Sequence, residues 1–294
     1  MMEHRRQFLL LSLIAFVFLP VAALKAAAAE TNTLNVMTYN VRYAGYKPPN
    51  AWPDRRPILA ECIRSLQPDI MGTQEGVYQQ IKDMAVDLPE YRWIGTGRDG
   101  GSRGEFMAIF YRADRFEPLE YDHYWLSDTP EVIGSATWGN TNKRMVTWVK
   151  FRDLLTKREF YVVNTHFDHQ VQLARMNSAK LVRERINALK TTLPVFLIGD
   201  FNAVAGSNPA YDHFTSAESG FKDSWNTAGK RTGEGLDTFN GFKEIGKQGR
   251  RIDWILYRGQ VRPLTTEIVP YVKNGQFPSD HHPLITRFAF EAAQ

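Results

Sequence analysis

A set of polar residues stands where apolar runs end. Asn40 closes LNVMTYN, Glu75 closes PDIMGTQE, and His166 and Asp168 close YVVNTHFD. Asp200 and Asn202 follow VFLIG, Asp253 lies inside RIDWIL, and Asp280 and His281 precede the apolar PLITRFAF. Any one Asp or Asn in such a place is an ordinary turn former. As a set they carry too much charge beside buried residues to be incidental, because a bare buried carboxylate costs several kcal/mol unless it is paired or binds a cation. Glu75, Asp200, Asp253 and Asp280, with the amide oxygens of Asn40 and Asn202, offer only oxygen donors. Such a set suits Mg²⁺, Mn²⁺ or Ca²⁺ rather than a structural zinc.

The elements that must position these residues are mostly strands. LNVMTYNV (34–41) is rich in strand formers, and 53–67 carries Ile58, Leu59, Cys62, Ile63 and Leu66 at helical spacing. PDIMGTQE reads as a short strand and GVYQQIKDMAVDL as a second helix. YRWIGTG, EFMAIFYR, LEYDHYWLS, RMVTWVKFRD and REFYVVNTHF follow as strands, the last two joined by LLTK as a hairpin. Ala174, Ser178, Leu181, Val182, Ile186 and Leu189 make one stripe of a helix within 172–190, ahead of a strand at 194–199. Residues 220–250 are rich in Gly and Lys and read as long surface loops. RIDWILYR, LTTEIVPYV and PLITRFAF close the chain as strands. Strands outnumber helices, and several follow one another without a crossover helix. That favours packed antiparallel or mixed sheets with helices outside.

The ordered set TYN, QE, NTHFDH, GDFN, RIDWIL and SDHHP resembles the endonuclease/exonuclease/phosphatase superfamily, with its deoxyribonuclease I-like fold, over about residues 34 to 290. The resemblance implies an α/β (α+β) four-layer sandwich, two packed mixed or antiparallel sheets flanked by helices. It also implies hydrolysis of phosphate esters with Mg²⁺ or Mn²⁺. Carried over position by position, it makes Asn40, Glu75 and Asp280 the residues that hold the metal or orient its water. His166 would donate to a phosphate oxygen, Asp200 and Asn202 would flank the attacking water, and Asp253 would fix the tautomer of His281. Asp200 and the Asp253–His281 pair both remain candidate bases.

GRDGGSRGEF, YWLSDTP, WGNTNKRMVTW and HFDHQVQLAR further resemble a mostly bacterial branch of the superfamily. That places Arg98, Glu105, Arg144, Asp168 and His169 at the substrate rim, with solvated loop cations as the alternative for Arg98 and Arg144. Trp125, Trp138 and Trp148 read first as sheet-covering residues, and second as platforms for a base or sugar. GTGRDG matches a dinucleotide fingerprint, but a strand rather than a helix is expected after it. His166 and His169 on one strand would face opposite sides, which argues against a shared zinc.

Bulk properties add limits. The 294 residues carry a formal charge of +4 and one cysteine, Cys62, so no internal disulfide can form. HRRQ, the apolar run 8–24, and Ala27 and Ala29 before Glu30 have the pattern of a cleaved leader, residues 1–29. The expected product is residues 30–294, one monomeric domain without stable membrane insertion, secreted or periplasmic. Loss of Arg5, Arg6, Lys25 and Glu3 would leave it near +2. No concentrated basic stripe favours a long nucleic acid, though a nucleotide or nucleic acid remains open as substrate. The expected activity is a metal-dependent phosphodiesterase. A phosphomonoesterase on a sugar or inositol phosphate is the rival, and a binding module that lost its chemistry the non-enzymatic alternative.

Overall fold

Alternation along the buried strands decides the layering. In Val195–Asp200, Phe196 and Ile198 enter one apolar cluster while Val195 and Leu197 enter another. A strand whose two faces are both covered must be apolar on both, and successive side chains go to opposite faces. The computed structural model describes residues 32–291, so the expected leader lies outside the described residues.

The elements in chain order are β1 (Thr33–Asn40), α1 (Trp52–Leu66), β2 (Ile70–Gln74), β3 (Gly76–Val77), α2 (Tyr78–Asp87), β4 (Tyr91–Ile94), β5 (Glu105–Phe106) and β6 (Ile109–Arg112). β7 (Phe116–Trp125), β8 (Met145–Asp153), β9 (Glu159–His166), α3 (Gln172–Ala188), β10 (Val195–Asp200) and α4 (Pro209–Thr215) follow. The chain closes with β11 (Lys222–Asp223), α5 (Ser224–Thr227), β12 (Lys230–Thr232), β13 (Asp253–Arg258), β14 (Val261–Ile268) and β15 (Leu284–Phe290).

One large sheet has the order β12-β14-β15-β1-β2-β6-β4 and the other β11-β13-β10-β9-β8-β7, while β3 and β5 pair as a separate two-stranded ribbon. The pairs β1–β2, β9–β10 and β12–β14 are parallel and the remaining pairs antiparallel, so both sheets are mixed. The sheets face each other across Val36, Ile70, Ile109, Phe160, Phe196, Ile198, Ile255 and Phe288. α1 and α2 cover the outer face of the first sheet through Trp52, Leu59, Ile63, Ile81 and Met84. α3 and α4 cover the second through Ala179, Val182, Ile186, Tyr211 and Phe214. The expected four-layer sandwich and the β8–β9 hairpin are therefore present. Among the described residues, no helix is long and apolar enough to cross a membrane.

A polar clamp joins the sheets just below the site. Asn164 donates to the carbonyls of Thr73 and Ala108 at 2.9 and 3.0 Å and accepts from Gln74 at 2.7 Å. Gly72 leaves room for it, since a Cβ there would stand 2.8 Å from the Asn164 amide and 2.6 Å from Ile198. A buried hydrogen-bond network of this kind, in which both ends of the Asn164 amide meet partners, rigidifies the structure above it.

Two stretches differ from the sequence expectation. α4 went unanticipated, although Asn208 caps it by accepting from the Ala210 N–H and Pro209 sits in its first turn. The segment 220–250 is not simply a surface loop. It contributes β11, α5 and β12, and its part 237–242 is folded inward. The Asp237 carboxylate accepts from the backbone N–H groups of Gln248 and Arg250, and the Asn240 N–H donates to the Asp280 carbonyl at 2.7 Å. Local polarity and glycine content hide such long-range anchoring.

Candidate active site

Register brings the strand-end residues together. Asp200 pairs across β10–β9 with His166 and across β10–β13 with Asp253. These three share the inward face that Phe160, Val162, Phe196, Ile198, Ile255 and Tyr257 occupy deeper in the sandwich. Asn40, at the end of β1, has the same inward parity on the opposite sheet and reaches across: its amide donates to Asp200 Oδ2 and Glu75 Oε1, both at 3.0 Å. The inward stripe of the two sheets thus turns from apolar to polar and ionisable toward one edge of the core.

His281 lies between two acids. Its Nδ1 is 2.9 Å from Asp253 Oδ2 and its Nε2 is 3.6 Å from Asp200 Oδ2. Burial alone would lower its pKa. The charges of Asp253 and Asp200 and the Asp253 hydrogen bond outweigh that and push it up to about 10. Asp200 is raised from 3.8 to about 7, by burial first and the Asp253 charge second. Both groups therefore hold protons more tightly folded than unfolded, so both contributions favour the fold at low pH and fade as pH rises. The Asp200 contribution fades from about 4 through about 7, and that of His281 from about 6.5 through about 10. The chelator-treated protein is expected to show a melting temperature that declines from pH 6.5 to 10, and His281→Gln is expected to flatten that decline. Equal slopes for the two proteins would contradict the assignment.

A second acidic pair adjoins the first. Glu75 Oε2 and Asp280 Oδ2 share the Arg42 guanidinium at 3.4 and 3.6 Å. Glu75 also accepts from the Tyr43 N–H at 3.1 Å. Arg42, Glu75 and Asn202 all have left-handed backbone, with φ of 54°, 65° and 48°. Asn tolerates that conformation, but Arg and Glu pay on the order of 1 kcal/mol each for it.

The donor set fits a hard divalent cation. Glu75, Asp200, Asp253 and Asp280 are all largely buried, and among the described residues only Arg42 and His281 meet them as cations. Asp253 Oδ1 is buried with no hydrogen-bond partner. Asp200, Asp253 and His281 present ligand-capable atoms within 4.8 Å of one another. In that trio His281 is held as a proton donor, so Glu75 and Asp280 are the better cation ligands, with Asp200 beside them. Asn40 turns its NH₂ toward both acids and its Oδ1 toward the Arg42 N–H, which makes it an orienting donor as it stands.

Across the cavity lie the nitrogen donors. Arg144 is 4% exposed, its Nε is unpartnered, and its nearest carboxylate, Asp168, is 3.9 Å away. Its Nη2 lies 3.1 Å from His169 Nδ1. Burial lowers its pKa, but a guanidinium remains a cation at neutral pH. The Asn202 amide donates to the Phe167 carbonyl and lies 3.0 Å from His166 Nε2, which makes that nitrogen an acceptor. Burial and the nearby Arg144 and Arg98 charges keep His166 neutral, well below its usual pKa.

These groups surround a cavity of about 560 Å³. It is lined by Arg42, Glu75, Arg98, Glu105, Arg144, His166, His169, Asp200, Asn202, Asp280 and His281. Asp253 stands behind His281. Asp168, expected at the rim, instead accepts from the Gln170 and Val171 N–H groups and shapes the entry to α3. β9 ends at His166, so His169 is on a bend and shares the cavity with His166; the alternation expected between them does not apply. No tryptophan lines the cavity. Trp125 is buried and donates to the Arg98 carbonyl at 2.7 Å, and Trp138 and Trp148 pack against the α3-side core. The aromatic lining is Tyr43, Phe239 and Phe242, with Phe239 edge-on to His281 at 5.1 Å between ring centres. These three, with Arg42 and Asn142, were missed in the sequence. Arg42 and Tyr43 lie two and three residues past TYN and could have been flagged by that proximity, whereas the others come from loops with no local signal.

The acid-rich cleft lies at one edge of a double-sheet sandwich, and the family model for the endonuclease/exonuclease/phosphatase family matches residues 37–281. The chain belongs to that family. It is similar to a family member from Bacteroides vulgatus, 35% identical with a TM-score of 0.83 over 88% of this chain and 99% of that one. It is also similar to a mannosyl-6-phosphatase from Bacteroides thetaiotaomicron VPI-5482, 34% identical with a TM-score of 0.80 over 87% of this chain and 100% of that one. Among curated relatives, an uncharacterised protein of Acanthamoeba polyphaga mimivirus is 31% identical over 160 residues, 51% of this chain and 59% of that protein's length.

Proposed function

We propose that the protein is a divalent-metal-dependent phosphoester hydrolase that prefers a phosphate monoester on a small polyol such as a sugar. The buried, under-compensated Arg144 in the cavity carries the monoester preference. A monoester brings up to two negative charges and a diester one, so guanidinium donors reward the monoester more. The 34% identity to a mannosyl-6-phosphatase along its whole length supports the same choice.

Glu75 and Asp280 would hold Mg²⁺ or Mn²⁺, with Asn40 orienting Glu75. Such an ion, when bound, neutralises the phosphate and lowers the barrier to water attack. Asp200 accepts the proton of the attacking water, its pKa poised near neutrality for that task. His281, kept cationic by Asp253, donates to a phosphoryl oxygen. Arg144 stabilises charge on the others, and Asn202 holds His166 and the Phe167 carbonyl in place beside them. Of the two candidate bases, the structure thus supports Asp200.

A diester is the second reading. It is favoured by Tyr43 and Phe239, 49% and 48% exposed on the cavity wall, where a base could stack. Release of p-nitrophenol from the mono-ester and the bis-ester, with Mg²⁺ or Mn²⁺, separates the two. The expected kcat/KM favours the mono-ester by at least about tenfold, the worth of one charged hydrogen bond. A reversed preference would assign the site to diesters, and activity that survives a chelator would remove the metal from the account.

A further inference from the structure

We propose that Arg98 and Glu105 form a hydroxyl-reading pair that selects the alcohol side of the substrate, recognising adjacent hydroxyls of a hexose phosphate; this rests on the monoester reading above. Arg98 Nη1 donates to Glu105 Oε2 at 2.7 Å, and both side chains are about five-sixths buried in the wall of the cavity that holds Asp200 and His281. Glu105 Oε1 and Arg98 Nε and Nη2 make no hydrogen bond among the described residues and are not sealed from the cavity. The pair therefore offers an open acceptor beside open donors. Each hydroxyl of a vicinal diol both donates and accepts, so a diol satisfies both partners at once.

The alternatives fit less well. Arg98 is already neutralised by Glu105, and that carboxylate would repel a second phosphate. An apolar alcohol would leave both desolvated groups unsatisfied. Burial raises the cost of the Glu105 charge, which sharpens this penalty.

The pair is also built rigidly. The Arg98 N–H donates to the Glu105 carbonyl at 2.9 Å, Gly97 bridges Phe106, and the Trp125 indole holds the Arg98 carbonyl. Gly97 allows the tight return: a Cβ there would lie 2.0 Å from the Arg103 carbonyl oxygen. Lys143 ties the tip through Asp99. A group that reads hydroxyl positions needs this kind of fixed frame.

The test compares mannose 6-phosphate with p-nitrophenyl phosphate, which lacks hydroxyls, for the wild-type protein, Glu105→Gln and Arg98→Gln with Mg²⁺. The expected result is that each variant lowers the ratio of kcat/KM for the sugar over the aryl substrate by about 10–100-fold. A 2-deoxy or 3-deoxy hexose 6-phosphate should narrow the difference between wild type and Glu105→Gln. Equal losses on both substrates would make the pair a structural ion pair and overturn the proposal, as would an unchanged ratio. If the wild-type protein cleaves diesters only, the monoester reading fails and this inference fails with it. If it cleaves both monoesters and the variants keep the wild-type ratio, this inference fails alone.

Discussion

Replacing His281 by alanine is expected to lower kcat by about 10³-fold or more while the circular dichroism stays that of the folded protein. Two losses combine. The donor to the phosphate disappears, which by itself is worth about 10²–10³. The cation between Asp200 and Asp253 disappears as well, and those acids occupy facing positions of adjacent strands. Like charges so placed hold a proton tightly, so Asp200 is also disabled as a base. Asp200→Ala should cause a comparable loss. Asp253→Asn keeps the shape but removes the charge that holds the imidazolium, and a smaller drop, with a shifted pH–rate profile, is expected. The fold survives because none of the three belongs to the apolar layer between the sheets. Steady-state kinetics of the three variants checks the order, and near-normal turnover in His281→Ala and Asp200→Ala would remove both from the mechanism.

Arg144→Met is expected to lower kcat/KM by about 10²–10³ with the melting temperature unchanged or raised. The two directions follow from one fact. A guanidinium that is 4% exposed and has no carboxylate in hydrogen-bond range is held at a desolvation cost. Methionine fills similar volume without that cost. Asp168 keeps its two backbone donors, and the exposed His169, whose Nδ1 loses the guanidinium, can turn to water. The substrate, however, loses a charged donor in a site shielded from water, a loss of roughly 3–4 kcal/mol in the transition state. A residue kept for stability would show the reverse: a lower melting temperature and preserved kinetics. Arg144→Lys should rescue only part of the activity, since a point charge does not replace a planar fork.

The site was legible where chemistry and strand coincide. Glu75, Asp200, Asp280 and His281 each sit against a run whose burial follows from composition, and an acid in that place is costly enough to demand a partner. Asp168 looked the same in sequence but serves a turn, because a carboxylate that accepts two backbone N–H groups satisfies the same requirement locally. The rim was less legible. Phe239 and Phe242 lie in a glycine- and lysine-rich stretch that folds inward only because Asp237 and Asn240 are anchored by residues brought near through the fold.

By itself the amino-acid sequence determined the strands, the main helices, the layered class and the identity of most ionisable groups at the cleft, because periodicity, burial and turn chemistry act over a few neighbouring residues. Tertiary structure alone decided which of those groups touch. The pairing of Asp200 with both His166 and Asp253 and the reach of Asn40 between sheets follow from register and sheet packing. So does the placing of Arg144 opposite the acids. Those contacts join residues dozens to well over a hundred positions apart, and their energies arise only once the two sheets have closed on a common core.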